Sequence, residues 1–484
     1  MNRELRRVSW GIFALFLSLF VSSTVIQVFQ VDNLRVDERN SRTLLDSYST
    51  ERGAIVASNT IIAESIPVDD QFRYQRTYYD GPMYSAVTGY FTISQGISGI
   101  ESAMNDELSG QSNQQFFDQV LALVSGRDPR GATVQLTLDP EIQKAAWNAL
   151  GDNAGSVVAL DPTTGRILAM VSKPAYDPNE LAAHDTETVI GRYQQLLVDE
   201  SAPLVNRAIS GGLYHPGSVF KLIVTAAALD SGLIRDTTTV PNPASLKLPG
   251  STSVIKNSGG GRCGSGDTVT LETALRLSCN IPFAEIGTRI GSTVINSYAE
   301  EFGFGASLEI PMAVTPSTYP ANMDAAQIML SSFGQYDVRV SPLQMAMVSA
   351  AIANGGVLMA PTVVDSVLAP DLSILKSFQA QEYSQPISKQ TASLMTTMMI
   401  GNVSNGVASN ARISGVKVAG KTGTAENGEG EPYTLWFTGF APADNPRVAV
   451  AVVIENGGGF GQSANGNRVA APIARTVIEA VLAQ

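Results

Sequence analysis

The run Tyr214-His215-Pro216-Gly217-Ser218-Val219-Phe220-Lys221 constrains the rest of the chain most. A Pro-Gly pair interrupts regular structure and marks a turn. Behind it stands Leu222-Ile223-Val224-Thr225-Ala226-Ala227-Ala228-Leu229, closed by Asp230-Ser231-Gly232. That apolar, alanine-rich run predicts a buried helix with a glycine stop, and it places Ser218 in the first turn. Residues three apart share a helix face, so the Lys221 amine reaches the Ser218 hydroxyl. This is how a nucleophile stands beside its own base. The competing reading is a helix-start serine with a solvated lysine nearby.

Spacing alone does not single out this pair. Ser-x-x-Lys also occurs at Ser253/Lys256, Ser373/Lys376 and Ser414/Lys417. Ser253 lies between Gly250 and Gly259-Gly260-Gly261, in a loop. Ser373 follows Pro370-Asp371 with no long helix behind it. Ser414 leads into Gly415-Val416-Lys417-Val418, which alternates like a strand, where residues three apart face opposite sides. Only Ser218 has a turn before it and a helix after it.

The chain of 484 residues is long enough for two or three domains. A net charge of −12 argues against a nucleic-acid partner, which would require a basic face. Two histidines and two cysteines cannot build a standard Cys/His metal site, so no metal is expected. Arg3, Arg6 and Arg7 precede an apolar run from Val8 to Val31, long enough to span a bilayer. It lacks a small-x-small cleavage site and outruns a signal-peptide core, so it reads as an uncleaved signal anchor rather than a secretory peptide. The preceding arginines favour a cytoplasmic N-terminus, with everything after Val31 outside. An exported chain permits a disulfide between Cys263 and Cys279; two free thiols are the alternative.

Along the chain, Arg52–Ala57 and Thr60–Ala63 predict a hairpin around Ser58-Asn59. Gly99–Leu108 predicts a helix, Thr133–Leu138 a strand, and Asp139-Pro140 a capped helix through Leu150. Ser156–Leu160 and Arg166–Val171 form a second hairpin, followed by a loop-rich segment to Asn206 and a Pro/Gly/Ser-rich excursion from Pro241 to Asp267. Helical patterns cover Leu271–Leu277, Ile281–Ile290, Thr293–Glu301 and Pro342–Ala353. Strand signals return at Val416–Val418, Thr434–Phe440 and Arg447–Ile454, and a final helix starts near Ala471. Strands at both ends with helices between suggest one antiparallel sheet assembled from the two ends of the second module.

Three short elements fall in order: Ser218-x-x-Lys221, Ser278-Cys279-Asn280 and Lys421-Thr422-Gly423-Thr424. Ser463-Ala464-Asn465 is a decoy for the second. Gly415 to Thr422 also matches the P-loop pattern, but half-polar residues precede it and Glu426–Pro432 cannot sustain the required helix. In concert the three elements are those of penicillin-binding proteins and class A β-lactamases. The chain resembles penicillin-binding transpeptidases further at Asn206-Arg207-Ala208, Tyr214-His215-Pro216-Gly217, Phe302-Gly303-Phe304-Gly305, Pro342–Ala346 and Trp436-Phe437-Thr438-Gly439. The anchor and Arg52-Gly53 resemble the class B, monofunctional branch.

The resemblance implies an α+β fold. A penicillin-binding/serine β-lactamase-like transpeptidase domain at 151–484, an antiparallel sheet with a helical subdomain, would follow an anchor at 1–31 and a small mixed, pedestal-like or dimerisation module at 32–150. It implies a membrane-bound, single-pass, extracytoplasmic D,D-transpeptidase without cofactor. That enzyme would cross-link peptidoglycan stem peptides ending in D-Ala-D-Ala, be acylated by β-lactams, and serve cell division or shape beside division-complex membrane proteins. The first module is too short for a glycosyltransferase domain, so a separate enzyme would polymerise glycan.

The chemistry assigns roles. Ser218 is the nucleophile and Lys221 the base, its amine kept neutral by burial and by Lys421. The resemblance implies that Ser278 relays a proton. Asn280 suits the acyl-side amide, and Lys421, Thr422 and Thr424 suit a terminal carboxylate. Gly423 lets a peptide lie along its strand. The N–H groups of Ser218 and Thr424 would form the oxyanion hole. Cys279 inside the second element is unusual for the family and raises the question whether a disulfide shapes the site. Two other classes compete: a D,D-carboxypeptidase or β-lactamase-like hydrolase, although no Glu-x-x-x-Asn arrangement for rapid deacylation is found, and a silent division scaffold or β-lactam sensor.

Overall fold

The computed structural model describes residues 2–26, 50–92, 94–112, 115 and 130–484. An N-terminal helix spans Asn2–Thr24. Its stretch Arg6–Thr24 is long and apolar enough to cross a membrane, roughly 28 Å at 1.5 Å per residue. The end of the apolar run at 27–31, and Arg35 and Arg39 beyond it, lie outside the described residues.

Two sheets organise the remainder. The first has six strands in the order Ile374–Ser377, Val364–Leu368, Thr133–Leu136, Ile55–Ala57, Thr60–Pro67, Tyr74–Tyr78. The hairpin around Ser58-Asn59 is present, and Ile55–Ala57 pairs parallel with Thr133–Leu136. Two strands from late in the chain, Val364–Leu368 and Ile374–Ser377, thus extend a sheet begun by the earliest ones. Beneath it Glu101, fully buried, takes both Arg52 Nε (2.5 Å) and Arg76 Nε (2.6 Å). Each buried guanidinium is thereby paired, as burial of charge requires.

The second sheet has five antiparallel strands in the order Ala419–Ala425, Thr434–Ala441, Val448–Ile454, Gly155–Leu160, Ile167–Lys173. It is the sheet expected from both ends of the second module. Its three inner strands are buried at every position, because helices cover both faces. Val157, Phe437, Val450 and Val452 point to one side, against Pro140–Leu150 and Ala470–Leu482. Val158, Trp436, Ala449 and Ala451 point to the other, into a larger core shared with Lys221–Asp230 and Pro342–Ala353. The latter helix is buried from Pro342 to Ile352. Asp139 caps Pro140–Leu150 by accepting from the N–H groups of Glu141 and Ile142.

Several expectations are corrected. The predicted helix over Gly99–Leu108 is two short helices, Gly99–Ala103 and Asn105–Leu108, broken at Met104 (φ −117°, ψ 27°). The loop-rich segment before Asn206 contains a helix, Thr186–Val198, which buries only Val189 and Leu196 and so shows little apolar periodicity. Lys389–Ser404 is an unforeseen helix rich in Met and Thr. Val416 makes only an isolated bridge with Ile413, and the strand begins at Ala419. Gly420-Lys421-Thr422 therefore lies within a strand, where a phosphate-cradling loop cannot form.

Candidate active site

The turn bearing Ser218 is tighter than expected. Gly217–Val219 form a single 3₁₀ turn, and the α-helix starts at Lys221. The reason is Gly217, with φ +53°, which suits glycine because there is no Cβ to clash. A Cβ there would stand 2.8 Å from the Thr424 carbonyl oxygen. The nucleophile turn is thus pressed onto the Lys421 strand. Gly217 N–H donates to the Gly334 carbonyl (2.9 Å), fixing the turn from its other side.

A buried brace holds the preceding residues. Arg207 Nε and the Tyr214 hydroxyl both donate to Glu455 Oε1, at 2.9 and 2.6 Å. Arg207 also donates to the carbonyls of Ala202 and Ser201. Trp436 Nε1 donates to the His215 carbonyl (3.0 Å), and its ring meets Tyr214 edge-on. Arg207, Tyr214 and Trp436 stood out in the sequence only as family framework segments. Glu455 gave no signal, because its partners lie more than 200 positions away.

The three sequence elements converge. Lys221 Nζ lies 3.0 Å from Ser218 Oγ and donates to the Ser278 carbonyl and to Asn280 Oδ1, both at 2.8 Å. Lys421 Nζ donates to Ser278 Oγ and to the Thr422 carbonyl, both at 2.7 Å. Both lysines are fully buried. Burial, and then the charge of Lys421, hold the Lys221 amine well below the usual lysine range. Burial lowers Lys421 to about 7. Two of the three groups around Lys221 are carbonyl oxygens, which can only accept. A neutral amine spends both N–H bonds on them, and its lone pair is left facing Ser218.

Ser278 adopts φ +60°, a left-handed conformation uncommon for serine. It turns the carbonyl to one lysine and the hydroxyl to the other. Asn280 opens the helix Asn280–Ile290, and its Nδ2 donates to the Lys256 carbonyl (3.0 Å). Both ends of its amide are therefore engaged within the chain. Gly423 and the partly exposed Thr424 follow Thr422 on the outer strand, and Thr424 Oγ1 accepts from Gly466 N–H (3.4 Å). Cys263 and Cys279 are joined in a disulfide with Cα atoms 5.6 Å apart. That bond ties the second element to the 241–267 excursion.

The rival pairs stay outside. Ser373 Oγ donates to Asp371 on an exposed hairpin. Lys417 pairs with Asp444 at the surface. Asn465 accepts from Arg468 N–H. Lys256 contributes a backbone carbonyl rather than its amine. That role, and the neighbouring Asn257, were invisible in a segment that read as a loop.

Comparison with known proteins matches this architecture. The penicillin binding protein transpeptidase domain model matches residues 155–479, and the penicillin binding protein A dimerisation domain model matches residues 52–134. The chain is 42% identical, over all of its length and 99% of the relative's, to the peptidoglycan D,D-transpeptidase PbpA of Mycolicibacterium smegmatis. It is 41% identical, with the same coverage, to the protein of that name in Mycobacterium tuberculosis. The solved structure of penicillin-binding protein A from M. tuberculosis as a ceftriaxone acyl-enzyme superposes with a TM-score of 0.87 at 41% identity, covering 90% of this chain and all of that one. With two lysines, a serine and an asparagine converging on Ser218 beside an antiparallel sheet, and with both modules matched in order, the chain belongs to the penicillin-binding protein transpeptidases.

Proposed function

We infer that the chain is a membrane-anchored serine D,D-transpeptidase that cross-links peptidoglycan stem peptides and is acylated by β-lactams. The observation that carries this is the Lys221 amine, buried and 3.0 Å from Ser218 Oγ, with its N–H bonds directed at two carbonyl oxygens.

The reaction runs in two acyl transfers. Ser218 Oγ attacks the carbonyl carbon of the penultimate D-Ala while its proton passes to Lys221. The negative charge that develops on the carbonyl oxygen is met by the N–H groups of Ser218 and Thr424. The C–N bond then breaks. The terminal D-Ala leaves as an amine, taking back the proton held by Lys221; the Ser278 hydroxyl, which accepts from Lys421, carries that proton only if it turns from Lys421 toward Lys221. An acceptor amine attacks the resulting ester, gives its proton back along the same route, and restores the Ser218 hydroxyl as the new amide forms. Lys421 holds the substrate carboxylate by charge, with Thr422 and Thr424 supplying hydroxyls. Asn280 orients Lys221, and it meets the substrate amide only by releasing the Lys256 carbonyl. Ala419–Ala425 is an edge strand, so a peptide can pair along it. Gly423 itself makes room for the nucleophile turn, since a Cβ there would stand 2.9 Å from the Pro216 carbonyl oxygen.

We place the anchor at 1–31 with the N-terminus cytoplasmic, a non-catalytic module at 32–150 and the transpeptidase domain at 151–484, outside the membrane. On that side the partners are a separate glycosyltransferase and the membrane proteins of division or shape maintenance. Full-length protein in detergent, incubated with a fluorescent penicillin and with a stem peptide plus an added amino acid, tests the reading. Stable labelling of Ser218 and transfer to the added amine are expected. Rapid release of the drug, or transfer to water alone, would assign a hydrolase. Folded protein without labelling would assign a scaffold.

A further inference from the structure

The helix Asn280–Ile290 begins inside the site, and its first N–H groups need acceptors from elsewhere. A Ser, Thr, Asp or Asn at the preceding position ordinarily supplies one. Here that position is Cys279, whose sulfur is bonded to Cys263 and whose side chain caps nothing. Asn257, 22 residues before Cys279, takes its place. Its Oδ1 accepts from both Asn280 N–H (3.0 Å) and Ile281 N–H (3.1 Å). Its Nδ2 donates to the Gly261 carbonyl (3.1 Å), and the residue is 5% exposed.

The consequence reaches the base. Asn257 fixes the backbone of Asn280, and the adjacent Lys256 carbonyl takes its Nδ2. A carbonyl only accepts, so the amide can face it only with its NH₂ end. Asn280 Oδ1 must then point to Lys221 Nζ, where it stands at 2.8 Å. With that acceptor in place the lone pair of a neutral Lys221 is directed to Ser218. We propose that Asn257 is a positioning residue for acyl transfer: it caps the Asn280 helix from a distant segment and, through Asn280, aims Lys221 at the nucleophile. This rests on the transpeptidase reading above.

The test uses full-length protein in detergent. The acylation rate constant per reactive site is followed by fluorescent penicillin and intact mass across pH, beside thermal melts. Asn257→Ala should slow acylation about tenfold, the scale of loss that a small misplacement brings. Its acid limb should move to lower pH, because an acceptor that favoured the protonated amine is loosened. A purely structural role would reduce the labelled fraction and leave the pH profile in place. Asn257→Asp keeps the acceptor and should stay within about threefold of the parent even if its melt falls. Asn257→Ala combined with Asn280→Ala should be no slower than Asn280→Ala alone, since one acts through the other. Acylation by Asn257→Ala within about twofold of the parent, or losses that multiply in the double variant, overturns the proposal. If Asn257→Ala does not melt cooperatively, Asn257→Asp decides: a loss beyond about tenfold overturns it. A parent protein that is never labelled sinks the transpeptidase reading and this inference together, whereas a labelled parent with an indifferent Asn257→Ala sinks this inference alone.

Discussion

Lys221 and Lys421 are joined through one residue: the Ser278 carbonyl accepts from the first at 2.8 Å and the Ser278 hydroxyl from the second at 2.7 Å. The left-handed backbone at Ser278 makes that division possible. Two buried amines this close disfavour each other's charge, so the pair works with one neutral and one protonated lysine.

That pairing predicts a bell-shaped pH profile. Acylation should rise as Lys221 loses its proton, at a pH well below the ordinary lysine range. It should fall as Lys421, held at about 7, loses the charge that grips the substrate carboxylate. Lys421→Arg, with a guanidinium that does not titrate in this range, should lose the alkaline limb. An alkaline limb unchanged in that variant would show that another group causes it. Stability has its own sign. Between its lowered pKa and about 10.4 the unfolded chain binds more protons at each lysine than the folded one, so melting temperature should climb with pH through that window.

Ser218→Ala should abolish covalent labelling, a loss of at least about four orders of magnitude in acylation. The fold should hardly notice, because Lys221 retains the Ser278 carbonyl and Asn280 Oδ1 as partners. Thermal melts within a few degrees of the parent are expected. Lys221→Ala should be almost as damaging to acylation, and the double variant no worse than Ser218→Ala, since the two act as one unit. Retention of most of the acylation rate by Lys221→Ala would mean the base lies elsewhere.

Glu455→Ala should cost about 2–4 kcal/mol of stability, because it strands the buried Arg207 guanidinium without its carboxylate. It should also slow acylation, since Tyr214 loses the acceptor that steadies the nucleophile turn. Glu455→Gln keeps an oxygen for Tyr214 and should recover much of the acylation rate while remaining less stable. Denaturant melts beside labelling rates separate the two effects.

Cys263→Ser opens a loop closed by residues 16 apart, which should lower stability by about 3 kcal/mol. Acylation should slow as well, because Cys279 stands between the two residues that touch Lys221. A variant as stable and as reactive as the oxidised parent would deny the bond any structural role.

Much of the site was legible in the chain because its signals are local. A Pro-Gly turn, a lysine three residues after a serine and an apolar helix behind them are contiguous, and so is Lys421-Thr422-Gly423-Thr424. The strand beginning at Ala419 rather than Val416 was misplaced for the opposite reason. Its first residues are set by pairing with Thr434–Ala441, and alternation in Val416-Lys417-Val418 carries no information about that partner.

The amino-acid order thus carried the candidate reactive residues, the antiparallel sheet and the family. Folding settled how they are aimed. Glu455 behind Tyr214, Asn257 behind Asn280, and Ser278 between two lysines all act across separations of 23 to 241 residues. A buried polar group must find a partner wherever the packed chain brings one, and the packing that supplies it is a property of the whole core. That is why Ser218, Lys221, Ser278 and Asn280 could be read from local motifs, while Glu455 and Asn257, which brace them from outside those motifs, could not.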